Sequence, residues 1–360
     1  MTISQLKQSF GEETQGIFTT TGDASINERQ VGPLKESVAQ SFFAAKEGLE
    51  LVEKKIAASL SSDAKILSEI SEYLLRLGGK RVRPLVCILT ARLYKKEKPF
   101  HQLIEAAAGI EMIHMATLLH DDIIDESPKR RNQQSAYGRF GLTPSLLAGD
   151  FLLARAFGLC AHLDTFVIEA TEKACVELTE GEVLEGKLTT ERNLSFDEYI
   201  TIVKKKTASL FALAASVGGH LSGASDKDVE HLRLFGYNAG IAFQIVDDIL
   251  DITADEDLLG KPSGTDLRQR TPSIVNILWL ASGDSFAKQF FSGEEPSKES
   301  TENALREIKK SSIIDQCREH AEQYARLAKE ALESLAESDI NAQERAKLLS
   351  IVEYSLERCR

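Results

Sequence analysis

Residues 111–132, EMIHMATLLHDDIIDESPKRRN, contain the pattern that decides the fold of this chain. An apolar run typical of a buried helix ends in three aspartates, Asp121, Asp122 and Asp125. Residues four apart lie on the same face of an α-helix, so Asp121 and Asp125 point together and Asp122 lies close by. Three carboxylates on one turn repel each other and resist burial unless a cation joins them. The pattern therefore predicts a helix that ends at a cation-binding site.

The same acidic pattern occurs again at the end of a second apolar stretch. Residues 243–251, FQIVDDILD, place Asp247, Asp248 and Asp251 at the same spacing. One such acidic run is often only a solvated helix face, but two copies make that interpretation much weaker. If the two clusters face each other, six carboxylates form a cage for hard divalent cations, and oxygen-only ligands favour Mg²⁺ over zinc. Mg²⁺ held in this way usually carries substrate phosphates.

His120 followed by Asp121 allows a second interpretation, a metal-dependent phosphohydrolase, because such enzymes also use His-Asp pairs on helices. A site of that kind needs further histidine ligands at separate helical positions. The chain has seven histidines, and none stands beside the second acidic cluster. The phosphohydrolase is therefore the less favoured alternative.

The composition is that of a helical globular protein with an acidic balance. Of 360 residues, 42% are hydrophobic and 27% are charged, and the net charge of −12 argues against a nucleic-acid surface. Gly and Pro are few, at 23 and 8, while Ala, Leu, Glu and Lys favour helices. No apolar run is long enough to predict a transmembrane segment. The N-terminus also lacks the basic and apolar pattern of a targeting segment.

The cysteines indicate a reducing compartment. They are five in number and lack CxxC spacing. The odd count and the scatter predict reduced thiols and a cytoplasmic protein.

Helical periodicity predicts an all-α fold with a single large domain. Residues 1–33 are polar and aperiodic, which predicts an N-terminal arm, and residues 34–360 form the helical domain. No segment resembles a convincing strand, and residues 255–272 are expected to form a polar loop. The predicted helices cover 34–60, 62–79, a segment beginning near Pro84, 100–125, 145–161, 165–187, 195–221, 226–254 and 273–282, with three more between 298 and 360.

Basic residues near both acidic clusters predict an anionic ligand. Residues 79–84, GKRVRP, place Lys and Arg at a helix start, where N–H groups and the helix dipole attract anions. Arg130 and Arg131 follow the first cluster, and Lys206 and Lys261 add positive charge. Each group alone is more often an exposed surface patch. Together, in an acidic chain, they indicate one diphosphate bound through metal and Arg/Lys, and a second bound through Arg/Lys alone.

These motifs together resemble the trans-polyprenyl diphosphate synthases, which elongate isoprenoid chains head to tail. The resemblance covers roughly residues 49–360, and the order and spacing of the motifs match those of the family. Long-chain members such as octaprenyl diphosphate synthase look most similar. The motifs are GGKRVRP (78–84), EMIHMATLLHDDIIDESPKRRN (111–132), GDFLLARAF (149–157), EGEVLEG (180–186), KKTASLFALAA (205–215), FQIVDDILD (243–251) and GKPSGTDL (260–267).

The resemblance implies the isoprenoid synthase fold, a helical bundle around a central cavity. It also implies a transferase that condenses isopentenyl diphosphate with an allylic diphosphate by ionisation, condensation and elimination. Such a site is expected to hold roughly three Mg²⁺ ions shared with the substrate phosphates. A homodimer is expected, with no nucleic-acid partner and only transient membrane contact for product release.

The resemblance also gives roles to individual residues. The expected Mg²⁺ ligands are Asp121, Asp125 and Asp247, with Asp122, Asp248 and Asp251 as further ligands or as supports of ligands. The expected metal-free pocket for isopentenyl diphosphate consists of Lys80, Arg83, His114 and Arg131. The expected contacts to the allylic diphosphate are Arg130, Lys206, Thr207, Gln244 and Lys261. The catalytic groups are the six aspartates and Lys206.

One loop departs from the family pattern. Family members usually carry a Gly-Lys-x-Thr-Leu-Pro stretch after the Asp-Leu of this loop. Here residues 266–272, DLRQRTP, are shorter and lack the lysine. Either Arg268 or Arg270 is expected to replace its charge.

Product length is expected to depend on the wall of an apolar tunnel below the first acidic cluster. Ala116 and Thr117 lie one helical turn before Asp121 on the same face, and both are small. In short-chain relatives a bulky aromatic often closes the tunnel here, so an open wall one turn away predicts a product of roughly C30–C50. If Ala116 is merely a helix former, or Met112 stops the chain, a farnesyl or geranylgeranyl product is the alternative.

Two other classes of protein share parts of the pattern. A non-catalytic subunit of a heteromeric synthase usually lacks an Asp motif, and both are intact here. A terpene cyclase shares the fold, but its second metal motif is of the Asn/Asp-x-x-Ser/Thr-x-x-x-Glu type. In this chain Asp251 and Asp255 stand at that position instead.

Overall fold

The computed structural model describes residues 33–94, 100–130, 133–191, 195–254, 263–293, 296–336 and 340–359. Within these ranges the predicted all-α class is confirmed. The predicted N-terminal arm lies outside the described residues except for Pro33. The elements are α1 (Pro33–Ser59), α2 (Lys65–Arg76), α3 (Val82–Leu93), α4 (Phe100–Ile124), β1 (Lys129–Arg130), β2 (Gln133–Gln134), α5 (Ala136–Phe140), α6 (Leu142–Cys160), α7 (Thr165–Glu191), α8 (Phe196–Val203), a turn of π-helix (Lys204–Ala208), α9 (Ser209–Leu221), α10 (Asp226–Thr253), α11 (Thr265–Gln269), α12 (Ile274–Ala281), α13 (Ser285–Ser292), α14 (Lys298–Lys310), α15 (Ile313–Glu333) and α16 (Ala342–Glu357).

Short elements are where the sequence predictions were wrong. The structure contains an antiparallel hairpin of β1 and β2, although no strand was expected. It also contains the short helices α5 and α13, and it turns part of the predicted polar loop into α11. The helix expected over 195–221 is interrupted by the π-turn. Apolar periodicity cannot detect elements this short, because they complete barely more than one or two turns.

The first acidic motif stands at the end of a helix that is buried on nearly all sides. α4 packs along α6 and also contacts α1, α3 and α9. Small side chains allow this close packing, since Ala106, Ala107 and Ala108 are all fully buried. At Gly109 an added Cβ would lie 3.0 Å from the Cys160 sulfur of α6. This packing explains why the sequence of α4 shows a continuous apolar run rather than an amphipathic stripe.

The second acidic motif stands near the end of α10, which packs against α9 and α15. Two glycines of α10 permit a close approach to the preceding segment. An added Cβ at Gly236 would lie 2.5 Å from the Cα of Ala212, and one at Gly240 would lie 2.6 Å from the Cα of Ala208. A second hydrophobic cluster, which includes Trp279 of α12, packs against Ile245 and Ile249 of α10. These contacts bring the π-turn directly beside the helix that carries the second motif.

By length and composition, α6 is long and apolar enough to cross a membrane, and 28% of its apolar stretch is buried inside the protein. The sequence had predicted no such segment. One face of α6 packs into the core through Ala148, Leu152 and Ala156, which are fully buried. The other face exposes several large apolar side chains, among them Leu142 and Leu147. Burial of one face is what a core helix shows, and the exposed face is available for a partner surface.

Candidate active site

The first acidic motif places two carboxylates, Asp121 and Asp125, close together at the end of α4. Asp121 belongs to the last turn of α4, and Asp125 follows directly, with its N–H donating to the Asp121 carbonyl at 2.9 Å. Burial raises the pKa of Asp121 to about 7; nearby Glu182 and Asp125 also raise it, while Lys206 and Arg130 lower it. A divalent cation would relieve the cost of keeping these carboxylates ionised.

Asp122 points away from that cluster. Its side chain is 1% exposed, and its Oδ1 accepts hydrogen bonds from Nε and Nη2 of Arg130, each at 2.9 Å. Arg130 lies on β1, and the hairpin is held to α2 because the Tyr73 hydroxyl donates to the Gln134 carbonyl at 2.6 Å. Asp122 therefore fixes the direction of Arg130. Arg131, which the sequence also predicted, lies outside the described residues.

His120 packs against α6 rather than joining an imidazole-rich metal site. Its Nε2 lies 3.3 Å from the Leu146 carbonyl and 3.5 Å from an Asp150 oxygen. Gly149 makes room for this ring, because an added Cβ would lie 2.2 Å from its Nε2. This placement disfavours the phosphohydrolase alternative.

The second acidic motif uses its three aspartates for different purposes. Asp248 is buried and accepts hydrogen bonds from the Tyr199 hydroxyl at 2.8 Å, the Gln244 amide at 2.9 Å and the Ile274 N–H at 3.1 Å. Burial raises its pKa to about 7, although these three hydrogen bonds lower it. Asp251 is also buried, and its Oδ2 accepts from the Asp266 N–H at 3.1 Å.

Asp251 thereby organises the start of the loop that follows. Its carbonyl accepts from Ser263 at 3.0 Å and from the Gly264 N–H at 2.8 Å. Asp247, by contrast, has a side chain that is 38% exposed and lies 3.1 Å from the guanidinium of Arg358. Asp247 is thus the member of this motif with the most access to a ligand.

The π-turn connects the two acidic motifs through consecutive residues. Lys206 interacts electrostatically with Asp121, while the Thr207 hydroxyl donates to the Gln244 side chain at 2.8 Å. Gln244 in turn donates to Asp248, so Thr207 is linked to the second motif by two hydrogen bonds. π-turns inside helices frequently occur at functional sites. Gly181 of α7 permits this close approach of the π-turn, because an added Cβ would lie 2.8 Å from the backbone nitrogen of Lys206.

Two glutamates hold Lys206 in place, and the sequence analysis had given neither a role. Lys206 forms ion pairs with Glu182, at 2.7 Å, and with Glu185. Burial lowers the pKa of Lys206, but Glu185, Asp121 and Glu182 raise it well above its ordinary value. The lysine therefore stays charged. Both glutamates lie in the EGEVLEG motif, so membership of that motif was the sequence signal that could have identified them.

The predicted metal-free pocket is only partly described. Lys80 is exposed just before α3, and Arg83 lies in its first turn with the guanidinium 5.0 Å from the Phe211 ring centre. The Arg83 Nε is buried and has no hydrogen-bond partner within the described part of the chain. A buried donor of this kind is costly unless a ligand meets it. His114 lies on α4 and is half-buried.

Arg81, between those two cations, has a structural role that sequence reasoning missed. It is buried in the left-handed region at φ 49°, and its Nη1 lies 2.9 Å from Glu111 of α4. It also bonds Glu53 at 3.2 Å and the Leu75 carbonyl at 3.4 Å. The basic loop is thereby tied to the helix that carries the first acidic motif.

The structure distinguishes between the two arginines of the shortened loop. Arg270 is buried and donates to the carbonyls of Phe290 at 2.7 Å and Gly293 at 3.1 Å. It therefore supports α13, and the expectation that it might supply the loop charge is wrong. Arg268 is exposed and donates to the Thr265 hydroxyl at 3.1 Å, so it remains the candidate. Lys261 lies outside the described residues.

The residues expected to set product length lie directly below the first motif. Ala116 and Met112 are fully buried within the larger hydrophobic cluster, which α4 shares with α3, α6 and α9. Thr117 is half-buried and donates to the His114 carbonyl at 2.8 Å. A bulky side chain at Ala116 would therefore enter the apolar interior one turn below the carboxylates.

The carboxylates do not form a closed metal cage. Across the described ranges, no group of three Asp, Glu, His or Cys side chains is arranged to hold a metal ion. Asp122, Asp248 and Asp251 are buried and accept hydrogen bonds within the protein, whereas Asp121, Asp125 and Asp247 stay the predicted Mg²⁺ ligands. An open arrangement still fits Mg²⁺, which usually takes one or two carboxylates and completes its shell with water and substrate phosphates.

Comparisons with known proteins agree with these motifs. Residues 64–309 match the sequence profile of the family described as polyprenyl synthetase. Geranylgeranyl diphosphate synthase of Methanosarcina mazei is 34% identical over 298 residues, which cover 81% of this chain and 90% of that protein. Heptaprenyl diphosphate synthase component 2 of Bacillus subtilis is 30% identical over 328 residues, covering 90% and 91%. The crystal structure of a polyprenyl synthase from Caulobacter crescentus, complexed with calcium and isoprenyl diphosphate, aligns with a TM-score of 0.83 and 32% identity, covering 90% of this chain and 98% of that one.

Proposed function

The chain belongs to the polyprenyl synthetase family and is a trans-prenyltransferase, and we propose that it makes a long-chain all-trans polyprenyl diphosphate. It would do so by adding isopentenyl diphosphate head to tail to an allylic diphosphate. The observation that carries the proposal is the π-turn, whose consecutive residues Lys206 and Thr207 are linked to the first and second acidic motifs respectively.

We propose that Mg²⁺ is the cofactor and that Asp121, Asp125 and Asp247 hold it. The similar polyprenyl synthase from Caulobacter crescentus was crystallised with calcium, another oxygen-seeking divalent cation. When bound, the metal would neutralise the charge that develops on a departing diphosphate.

The chain's own cations would bind and orient the two substrates. Lys206 and Arg130 lie beside the first motif and would grip the allylic diphosphate, with Thr207 and Gln244 on the opposite side. As that diphosphate leaves, these positioned groups stabilise its charge without reorganising. Arg83 offers its buried Nε, which has no partner among the described residues, to hold isopentenyl diphosphate, with Lys80 nearby. The proton lost after condensation would pass to the released diphosphate.

A single incubation tests the reaction against its alternatives. The purified chain is given Mg²⁺, isopentenyl diphosphate and farnesyl diphosphate, and the products are separated by chromatography. Elongated diphosphates support the synthase, whereas a hydrocarbon would indicate a cyclase and no turnover a non-catalytic subunit. Asp121→Asn should abolish elongation, and Asp315→Asn, at an exposed position of α15, is the matched control that should not.

We propose that the small residues below the first motif allow a product of roughly C30–C50, since residues one helical turn away share the face of Asp121. The relatives named above are geranylgeranyl and heptaprenyl diphosphate synthases, so family membership does not give the product length, and the proposal depends on the residues of the tunnel wall. Ala116→Phe should shorten the main product, because Ala116 is fully buried and the ring must project into the interior. Thr117→Ser adds no bulk and should leave the product unchanged. An unaltered product from Ala116→Phe would contradict the proposed wall.

We also propose that the chain forms a homodimer through the exposed apolar face of α6. Leu142, Leu146 and Leu147 are exposed on that face, and exposed apolar side chains grouped on one surface mark interaction sites. Light scattering of the purified chain would measure its mass. Leu146→Asp with Leu147→Asp should give monomers, whereas Leu327→Asp on α15 is a matched exposed control. A monomeric wild type would overturn the proposal. Because the Bacillus subtilis relative is named as component 2 of its synthase, a second protein that binds this chain would then be sought by co-expression.

A further inference from the structure

The C-terminal turn reaches the second acidic motif. Arg358 follows α16, and its Nη1 donates to Oδ1 of Asp247 at 3.1 Å although the two residues are 111 positions apart. The same guanidinium lies 5.7 Å from the ring centre of Phe243, one turn earlier on α10. No motif in the sequence analysis included Arg358.

The position of Arg358 is fixed by its neighbours on the C-terminal turn. Cys359 is buried and belongs to the second hydrophobic cluster, around Trp279. The Cys359 carbonyl accepts a hydrogen bond from Nε of Arg318 on α15 at 2.6 Å. Because the turn is held from both sides, Arg358 is directed at Asp247 rather than free to sample the surrounding solvent.

Asp247 therefore lies in the field of two guanidinium groups. The Arg83 guanidinium lies over the Phe211 ring, and the Arg358 guanidinium lies over the Phe243 ring. The centres of these two rings are 5.6 Å apart. Arg83 also interacts electrostatically with Asp247. The Asp247 side chain is 38% exposed and that of Arg358 is 24% exposed, so a small cation can approach the carboxylate from solvent.

We propose that Arg358 is a resident counter-ion of Asp247 that a divalent cation must displace, so that the C-terminal turn lowers the metal affinity of the second motif before substrate arrives. This inference rests on the proposed function in taking Asp247 as a metal ligand. A partly exposed pair of this kind is weak, so a divalent cation can displace it. A guanidinium about 3 Å from a metal ligand nevertheless opposes the cation by direct charge repulsion.

The consequence is an unequal pair of metal sites. In the first motif the nearby arginine is bonded to Asp122, and Lys206 is paired with Glu182 and Glu185. In the second motif the arginine is bonded to the exposed aspartate itself. The substrate-free protein should therefore bind a divalent cation at the first motif more readily than at the second.

Binding of Mn²⁺ to the substrate-free full chain tests the inference, with free Mn²⁺ counted by electron paramagnetic resonance. Arg358→Gln should tighten the weaker class of Mn²⁺ sites by roughly three- to tenfold at low salt. The gain should shrink as ionic strength rises, and Asp247→Asn should abolish it. Arg358→Lys keeps the charge and should stay near wild type, and Arg326→Gln, at an exposed position of α15, is a control of equal charge change.

The outcomes separate this inference from the proposed function. If wild type binds no Mn²⁺ and makes no product, the proposed function fails and the inference with it. If wild type binds Mn²⁺ and elongates, but Arg358→Gln binds Mn²⁺ with unchanged or weaker affinity, the inference alone is overturned. Circular dichroism of each variant checks that the helical fold is intact.

Discussion

The buried ion pair between Arg81 and Glu111 gives a stability prediction whose size follows from the structure. The two side chains are 5% and 3% exposed, and the N–O distance is 2.9 Å. Removing one partner of such a pair leaves an uncompensated buried charge, which costs about 3–5 kcal/mol. The Oε2 of Glu111 already has no hydrogen-bond partner within the described part of the chain. Arg81→Met should therefore cost toward the upper end of that range.

The remaining contributions at this position are smaller. Glu53 also pairs with Arg81, but its side chain is 39% exposed, so losing that pair costs at most about 1 kcal/mol. The left-handed backbone at Arg81 is unfavourable for any residue with a Cβ. Methionine carries the same backbone strain, which therefore cancels in the comparison. The difference between the variant and wild type thus reports mainly on the buried charge.

A double-mutant cycle isolates the pair. Arg81→Met and Glu111→Leu should each destabilise the protein, while the double variant should lie within about 1–2 kcal/mol of wild type because no buried charge is left alone. Urea unfolding followed by circular dichroism measures all four proteins. Arg76→Met, which breaks the exposed pair with Glu72, should change stability by less than about 1 kcal/mol.

Additive single effects would refute this reasoning, because they would mean that the two charges do not compensate each other. The pair also predicts a change in substrate binding, since Arg81 lies between Lys80 and Arg83. Single variants that remain folded should raise KM for isopentenyl diphosphate more than they lower kcat. A normal KM in a destabilised variant would show that the pair supports the fold without positioning the pocket.

Three further outcomes follow from contacts around the site. Gly181→Ala should impair turnover by displacing Lys206, because the new methyl would lie 2.8 Å from the Lys206 backbone nitrogen. Steady-state kinetics check this, and Gly186→Ala, whose methyl would meet no described atom within 4 Å, is the control. Tyr199→Phe removes one of three hydrogen bonds to buried Asp248 and should destabilise the protein by about 1.5–3 kcal/mol, measured by urea unfolding; a change below that range would mean that the remaining donors suffice. Burial raises the pKa of Cys175 to about 11, so its alkylation by iodoacetamide, followed by mass spectrometry, should rise about tenfold per pH unit from pH 7 to 10; a rate that levels off near pH 8.5 would contradict the shift.

Long periodic segments were predictable because their own sequences specify them. The apolar run before Asp121 required a buried helix, and α4 spans Phe100–Ile124 as expected. The π-turn was not predictable, since one extra residue within 195–221 leaves the apolar pattern nearly unchanged. Long-range partners were equally hidden. Tyr199 lies 49 positions from Asp248 and Arg358 lies 111 positions from Asp247, so only the packing of whole helices brings them together.

The two acidic motifs share one spacing but differ in what surrounds them. In each motif the second aspartate is one residue, about 100°, around the helix from the first, so it turns toward the protein interior. A buried carboxylate must find donors there: Asp122 finds Arg130, whereas Asp248 finds Tyr199, Gln244 and a backbone N–H. The spacing predicts that the second aspartate of each motif turns inward, but its donors come from other elements, and the spacing does not predict that Asp251 is buried as well. Asp121 and Asp125 in the first motif, and Asp247 in the second, can therefore face a ligand only because the fold supplies hydrogen bonds to the aspartates that are buried.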